Sequence, residues 1–490
     1  MKKYDMLING KLVQAKSGKT KEILDTGNGE SLGHVPEAGV EDMEEAIKAA
    51  RKAFDKGPWR KTGAMQRTKL LLQVAEAIRK NLKRLSELEV CNNGKPYPEA
   101  EADISDAADC FEFYAGFTTK IHGETMDVPD PMHWSMVVRE PYGVCGQIVP
   151  WNYPMLMATW KLAPSLAAGN TLIMKPSSFT PITVLELAKI MSEIDFPPGV
   201  INVVTGPGGK IGNLLAGHPD VDKVAITGGT DTGRKVMAAA AETTKKCTLE
   251  LGGKNPNIIL EDADFDAAVE GALFGAFFNQ GEVCSAGSKL LVHKSIHKKL
   301  VQAMKDKIGT IKVGHGLKPG VKMGPLVSPE QLKIIEDYVE IGKKEGATLV
   351  CGGKRPAGKE FEKGNFFEPT IFDNVTANMR INREEMFGPV VGVTPFSTDE
   401  EAIAMANDTE YGLAAGIWSK NFPRAIKMMR ELRVGIIWIN HFGPTFNEMP
   451  WGGYKQSGIG RELGLYGIDE YLQVKQVNLN LDENRIGWYY

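Results

Sequence analysis

Two doubly wound α/β domains are predicted for this chain, and three observations predict them. Short β-rich runs alternate with helical segments four times between residues 143 and 243. Strand-then-helix units in succession build parallel sheets with helices on both faces. A second α/β series follows Glu250. Finally, 490 residues, 42% hydrophobic and 24% charged, exceed what one compact core holds, so two or three packed units are expected.

In chain order, apolar residues recur at three- and four-residue spacing beside charged faces in 41–56 (EDMEEAIKAARKAFDK) and 64–90 (AMQRTKLLLQVAEAIRKNLKRLSELEV). This periodicity predicts surface helices laid over a core. GVCGQIV is then followed by a helix near 155–168, NTLIMK by 181–194, VINVVTG by 209–217 and VDKVAITG by 230–243. After Glu250 the pattern predicts a helix over 264–280, the strand KLLVHK, and helices over 295–309 and 329–345. Strands follow around 390–396, 415–418 and 434–439. The stretch 471–481 (YLQVKQVNLNL) alternates like a strand but lies far from either series. Such a strand pairs with another subunit or forms an edge within its own chain. No internal repeat, low-complexity tract or long linker interrupts the chain.

The 58 basic and 61 acidic residues are mixed along the chain and give a net charge of -3. That balance offers no electrostatic case for nucleic acid or a membrane surface. The amino-terminal MKKYDMLING has no apolar run of signal-peptide length behind it, and no stretch approaches the roughly 20 apolar residues that span a bilayer. A cytoplasmic location is expected. Six cysteines, at positions 91, 110, 145, 247, 284 and 351, never fall in a CxxC pair, so free thiols are expected rather than disulfides or a zinc site.

Three segments carry candidate chemistry. In 278–288 (FNQGEVCSAGS), Cys284 follows a predicted helix inside a glycine- and serine-rich turn, where backbone amides can favour a thiolate nucleophile. A lone cysteine is otherwise a small buried hydrophobe. In 248–257 (TLELGGKNPN), Glu250 stands between leucines, surroundings that raise a carboxyl pKa and suit proton abstraction from water. The alternative is a glutamate capping a turn. In 147–161 (QIVPWNYPMLMATWK), Asn152 sits at the exposed end of a strand, where an amide can hold an oxyanion or simply shape a turn.

PWNYP, KPS, TGGTDTG, LELGGKNP, NQGEVCSAGS, EEMFGPV and PWGGYKQSG together resemble the aldehyde dehydrogenase superfamily, in its order and at its approximate spacings. The resemblance runs from the helices near residue 41 to 464 and is nearest the betaine aldehyde and aminoaldehyde dehydrogenase type. It implies that family's fold: a dinucleotide-binding domain from 1–120 and 139–251, a catalytic domain over 252–453, and a small β oligomerisation arm from 121–138 and 470–490. A homodimer or homotetramer is implied, with a small-molecule aldehyde as partner.

The resemblance also implies residue roles. Cys284 attacks the aldehyde, the Asn152 amide and the Cys284 N–H hold the oxyanion, hydride leaves for the nicotinamide, and Glu250 activates the water that hydrolyses the thioester, with Lys161 close to its proton path. Cofactor contacts are implied for Ile148, Val149, Pro150, Trp151, Asn152, Lys175, Ser178, Gly208, Gly212, Thr227, Gly228, Gly229, Thr232, Glu250, Leu251, Gly252, Cys284, Glu385 and Phe387. Gly229 begins a helix whose free N–H groups receive the pyrophosphate. NAD-selective relatives commonly carry glutamate three residues after the ribose-binding lysine, where this chain has Ser178. A carboxylate within about 5 Å of a 2′-phosphate opposes it by a few kcal/mol, so its absence implies that NAD and NADP are both used.

Tyr153, Trp160 and Trp451 match the positions that line the family's substrate tunnel, where they form a box for a cationic head group in relatives that oxidise betaine aldehyde or aminoaldehydes. Glu448 adds an attractive charge at the mouth. The same tunnel also suits a general aliphatic or aromatic aldehyde or a semialdehyde. Acyl-CoA-forming members generally lack the residue found here as Glu250, and a fold retained only for structure or binding is expected to lose Cys284, Glu250 or Asn152. No metal site is implied.

Overall fold

The computed structural model describes residues 2–484 and Trp488; position 1 of the first domain and positions 485–487, 489 and 490 of the expected arm lie outside it. An eight-stranded sheet runs in the order Gly458–Ile459, Lys246–Glu250, Lys223–Thr227, Val144–Ile148, Thr171–Lys175, Ile201–Val203, Met6–Ile8 and Lys11–Val13. Its five central strands, from Lys246–Glu250 to Ile201–Val203, pair in parallel. Val144–Ile148, Thr171–Lys175 and Lys223–Thr227 are buried on both faces, which explains why they read as mostly apolar runs. The chain lays down Val144–Ile148, Thr171–Lys175 and Ile201–Val203 in one direction, then returns to add Lys223–Thr227 on the other side. That reversal is a topological switch point, and the crevice outside the carboxyl ends of Val144–Ile148 and Lys223–Thr227 is the expected place for a ligand.

The second sheet has seven strands, ordered Thr348–Cys351, Thr370–Asp373, Val390–Phe396, Lys289–His293, Pro256–Ile259, Ala414–Trp418 and Ile436–Ile439. All its pairs are parallel except the one made by Thr348–Cys351. Leu472–Asn480 pairs antiparallel with His133–Pro141, which also holds Glu124–Met126. The terminal strand is thus the edge of a small third sheet within its own chain, and its partner strand runs three residues past 138. Among the described residues no helix is long and apolar enough to cross a membrane.

Three expected helices are corrected. The run 64–90 is two helices, Ala64–Lys80 and Leu82–Asn93, because the Asn81 side chain donates to the Ala77 carbonyl and takes the place of the next backbone turn. The segment 209–217 starts as a π turn over Gly208–Gly212 before the short helix Asn213–Gly217. The helix expected over 264–280 ends at Phe277, since Asn279 and Gln280 both take positive φ in the tight turn that leads to Cys284.

Candidate active site

A cavity of about 810 Å³ opens at the switch point. Four strands of the first sheet deliver its wall at their carboxyl ends: Ile148, Val149, Pro150, Trp151, Asn152 and Tyr153 from one, Lys175 and Ser178 from the next, Thr227, Gly228, Gly229 and Thr232 from a third, and Glu250, Leu251 and Gly252 from a fourth. Gly208, Trp160, Cys284, Glu385, Phe387 and Trp451 complete the set expected from sequence. Three expected residues stand off this wall. Gly212 lies behind the Lys175 stem, 3.7 Å from its Cδ at the nearest approach of an added Cβ. Lys161 is buried beneath the wall, and Glu448 lines a neighbouring cavity.

The dinucleotide end of the crevice is shaped by glycine and lysine. Gly229 caps the helix Thr230–Ala241, whose amino-terminal N–H groups face an anion favourably. Lys175 is 3% exposed, and among the described residues its ammonium has one hydrogen-bond partner, the Pro176 carbonyl at 3.0 Å. Burial first, and the Lys21 charge second, pull its pKa down to about 8. An ammonium has three donors, so Lys175 fits a ribose that brings hydroxyl acceptors. Glu385 lies over Gly252, where an added Cβ would sit 2.0 Å from its Oε2, and its Oε1 accepts the Gly253 N–H at 3.0 Å. Burial lifts the Glu385 carboxyl to about 7. Phe387, at φ 58°, stands edge-on to Trp151 at 5.0 Å, and Gln331 bonds its carbonyl at 2.7 Å, which holds the strained backbone in place.

Cys284 follows the left-handed turn, and its carbonyl is fixed by the Asn255 amide at 2.8 Å. The expectation that local amides make a ready thiolate is corrected in part. Burial dominates and, with Glu385 and Glu250, pushes the thiol up to about 12, although the Ser285 and Cys284 N–H groups pull it the other way. The Asn152 side-chain amide donates to the Glu282 carbonyl at 2.9 Å, tying the two loops together, and its second N–H has no protein partner among the described residues. Its own backbone carbonyl is held by Asn279 at 3.0 Å and Asn93 at 3.3 Å.

Glu250 is 4% exposed, and burial, then the Glu462 charge, raise its pKa well above the carboxylate range, against Lys161 and Arg461. Lys161 Nζ is ion-paired with Glu462 and donates to Thr227 Oγ1 at 2.5 Å. Sequence reasoning missed Glu462. A reciprocal backbone bridge, Trp451 N–H to Glu462 O at 2.7 Å and Glu462 N–H to Trp451 O at 2.8 Å, brings it under the site.

Trp160 and Trp451 meet edge to face at 5.6 Å, and Trp438 stands 6.4 Å from Trp451. Lys95, fully buried and ion-paired with Asp103, places Nζ 4.0 Å from the centre of the Tyr153 ring. Asp103 and Asp106, also missed, project from the helix Tyr97–Ala115 into the main cavity. The adjoining cavity of about 420 Å³ is lined by Asp106, Asp109, Glu112 and Glu448 beside Trp160. Arg79 neutralises Asp109 and Glu112, whereas no ion pair involves Asp106 or Glu448 among the described residues.

Elsewhere Asp25, Cys91 and His315 bring ligand-type atoms within 4.8 Å of one another. The Leu317 N–H donates to His315 Nδ1 at 3.2 Å, so the ring proton sits on Nε2 and faces Asp25 at 3.0 Å. In that tautomer the one ring lone pair, on Nδ1, is taken by the Leu317 N–H and points away from Asp25, so the trio is a hydrogen-bonded pair beside a thiol.

The model of the aldehyde dehydrogenase family matches residues 12–477. Betaine aldehyde dehydrogenase of Bacillus subtilis (strain 168) is 48% identical over 99% of each chain. The peroxisomal aminoaldehyde dehydrogenase 2 of Pisum sativum is 44% identical over 99% of this chain and 97% of its own. The crystal structure of betaine aldehyde dehydrogenase from Staphylococcus aureus in complex with NAD+ has a TM-score of 0.98 at 45% identity, covering 99% of this chain and 96% of that one.

Proposed function

The chain belongs to the aldehyde dehydrogenase family, and from that premise we propose that it oxidises a cationic aldehyde, of the betaine aldehyde or aminoaldehyde class, to the acid through a thioester on Cys284. The observation that carries this reading is the convergence of Cys284, Asn152 and Glu250 on one cavity with the fold's dinucleotide crevice.

The dinucleotide is assigned to residues 1–120 and 139–251, with Lys175 at the ribose, Gly229 at the pyrophosphate and Glu385 at the nicotinamide ribose; the thiol is supplied by 252–453. When bound, NAD or NADP accepts hydride and brings a positive ring that favours the thiolate. Cys284 gives its thiol proton to Glu250, which passes it on towards Lys161 and Glu462; the sulfur adds to the carbonyl carbon, and the second Asn152 N–H with the Cys284 N–H receives the oxyanion. Collapse expels hydride and leaves a thioester. Glu250 then takes a proton from water, which attacks the acyl carbon and frees the thiol and the carboxylic acid. A carboxylate with a raised pKa suits this step because it is the stronger base toward water, and Lys161 with Glu462 offers the proton an onward path.

The cationic head group is assigned to Tyr153, Trp160 and Trp451. Support comes from the edge-to-face tryptophans and from the carboxylates of Asp106 and Glu448 around the entrance. These groups attract an ammonium and give an uncharged aldehyde nothing extra.

The third sheet is assigned as an assembly arm of a homodimer or homotetramer. Trp134 at 51%, Val474 at 73% and Leu481 at 53% exposure leave apolar surface there for a partner subunit to cover. Six unpaired cysteines fit a reducing, cytoplasmic setting. The deciding experiment follows NAD(P)H formation with betaine aldehyde, an aminoaldehyde and uncharged aldehydes, for the native chain and Cys284→Ala. Turnover with the cationic substrates that is lost in the variant is expected; turnover surviving in Cys284→Ala overturns the proposal.

A further inference from the structure

We infer that Lys21 forms, with Lys175 and beside Ser178, the receptor for the 2′-phosphate of NADP, and that Lys21 sets how well NADP competes with NAD. This rests on the reading that the crevice holds a nicotinamide dinucleotide.

Lys21 lies on the short strand Thr20–Leu24, outside the dinucleotide sheet, yet its Nζ reaches across to donate to the Ser178 carbonyl at 2.9 Å. The same ammonium sits 5.2 Å from the centre of the Phe179 ring. Ser178 and Phe179 both line the crevice beside Lys175. One of the three Lys21 donors is used on the carbonyl, and the side chain is only half-buried, so the other two remain for a ligand. The Ser178 hydroxyl turns away and donates to the Gly206 carbonyl at 2.9 Å, so no side chain of this segment opposes an anion.

Two ammonium groups therefore flank one stretch of wall. They are close enough for Lys21 to lower the Lys175 pKa, a repulsion that an anion between them would relieve. Glu330 is a carboxylate whose charge is felt by Lys21, and it is exposed, so it screens Lys21 only weakly. A ribose 2′-phosphate is a dianion that dinucleotide sites read with a basic residue, whereas NAD presents only a hydroxyl at the same place.

The test measures equilibrium dissociation constants for NAD+ and NADP+ on the full-length native chain, Lys21→Gln and Lys21→Glu, by titration calorimetry. Losing one charge-assisted hydrogen bond should raise the ratio of the NADP constant to the NAD constant about tenfold in Lys21→Gln, and further in Lys21→Glu. Added salt should narrow the difference between native and variant. Adenosine carrying phosphates at its 2′ and 5′ positions should compete with NADP+ better than the isomer phosphorylated at 3′ and 5′. An unchanged ratio, equal weakening of both dinucleotides, or equal competition by the two isomers overturns the inference. A native chain that binds NAD+ but not NADP+ also overturns it. A chain that binds neither brings down the dinucleotide reading, and this inference with it.

Discussion

Lys161 is ion-paired with Glu462 rather than with Glu250, although both carboxyls are buried beside it. Glu462 thereby uses the nearest cation and adds its own repulsion to Glu250, second only to burial in raising that pKa. As a base Glu250 must be ionised, so the hydrolytic rate rises with pH through its pKa. Glu462→Gln removes the repelling charge and frees the Lys161 ammonium to face Glu250; both effects lower the Glu250 pKa. The acidic limb of the steady-state rate, measured after any NAD(P)H burst, should move to lower pH by about one unit, equivalent to about 1.4 kcal/mol of interaction. A limb that stays put, or moves up, refutes the coupling.

Asn152 and Cys284 should fail differently. Asn152→Ala removes one oxyanion donor and the tie to the Glu282 carbonyl, and is expected to lower kcat by about 10² to 10³, with kcat/KM falling in step. Cys284→Ala removes the bond-forming atom and should leave no turnover. An Asn152→Ala variant with the native kcat would take Asn152 out of the transition state.

Gly252 and Glu385 are matched sterically. An added methyl at Gly252 would sit 2.0 Å from the Glu385 carboxylate, which must swing off the Gly253 N–H to make room. Gly252→Ala is therefore expected to raise the cofactor KM about tenfold, the scale of one charge-assisted hydrogen bond, and Glu385→Ala should do the same. A double variant no worse than either single would place both changes on one contact; additive losses would separate them.

The parts of the site that sequence made legible are those where one short segment carries both its geometry and its chemistry. Cys284 is announced by the glycine- and serine-rich turn that exposes it, and Asn152 by the end of a buried apolar strand. The parallel sheet was readable for the same reason, since strands buried on both faces are mostly apolar. Glu462 was not legible because its position depends on a backbone bridge to Trp451, a pairing with no periodicity to read. Asp103 and Asp106 were not legible because no chemical motif marks the helix Tyr97–Ala115, and only its packing against the aromatic wall turns them inward. Asn81 broke the run 64–90 because a single side-chain bond to Ala77 competes with the backbone, an effect that window-averaged periodicity hides.

Trp451 carries the sharpest prediction about substrate. Its ring meets Trp160 at 5.6 Å and neighbours Trp438 at 6.4 Å, so it is held rigidly and loses little freedom when a ligand arrives. A desolvated ammonium over such a ring gains about 2 kcal/mol, close to a thirtyfold change in affinity. The tert-butyl isostere of betaine aldehyde, with carbon in place of the ammonium nitrogen, fills the same space without charge. Trp451→Ala should therefore lower kcat/KM for betaine aldehyde about thirtyfold more than for the isostere. Charge is the only difference between the two substrates, so equal losses would mean that Trp451 contributes shape alone and that discrimination must reside in Asp106 and Glu448 at the entrance.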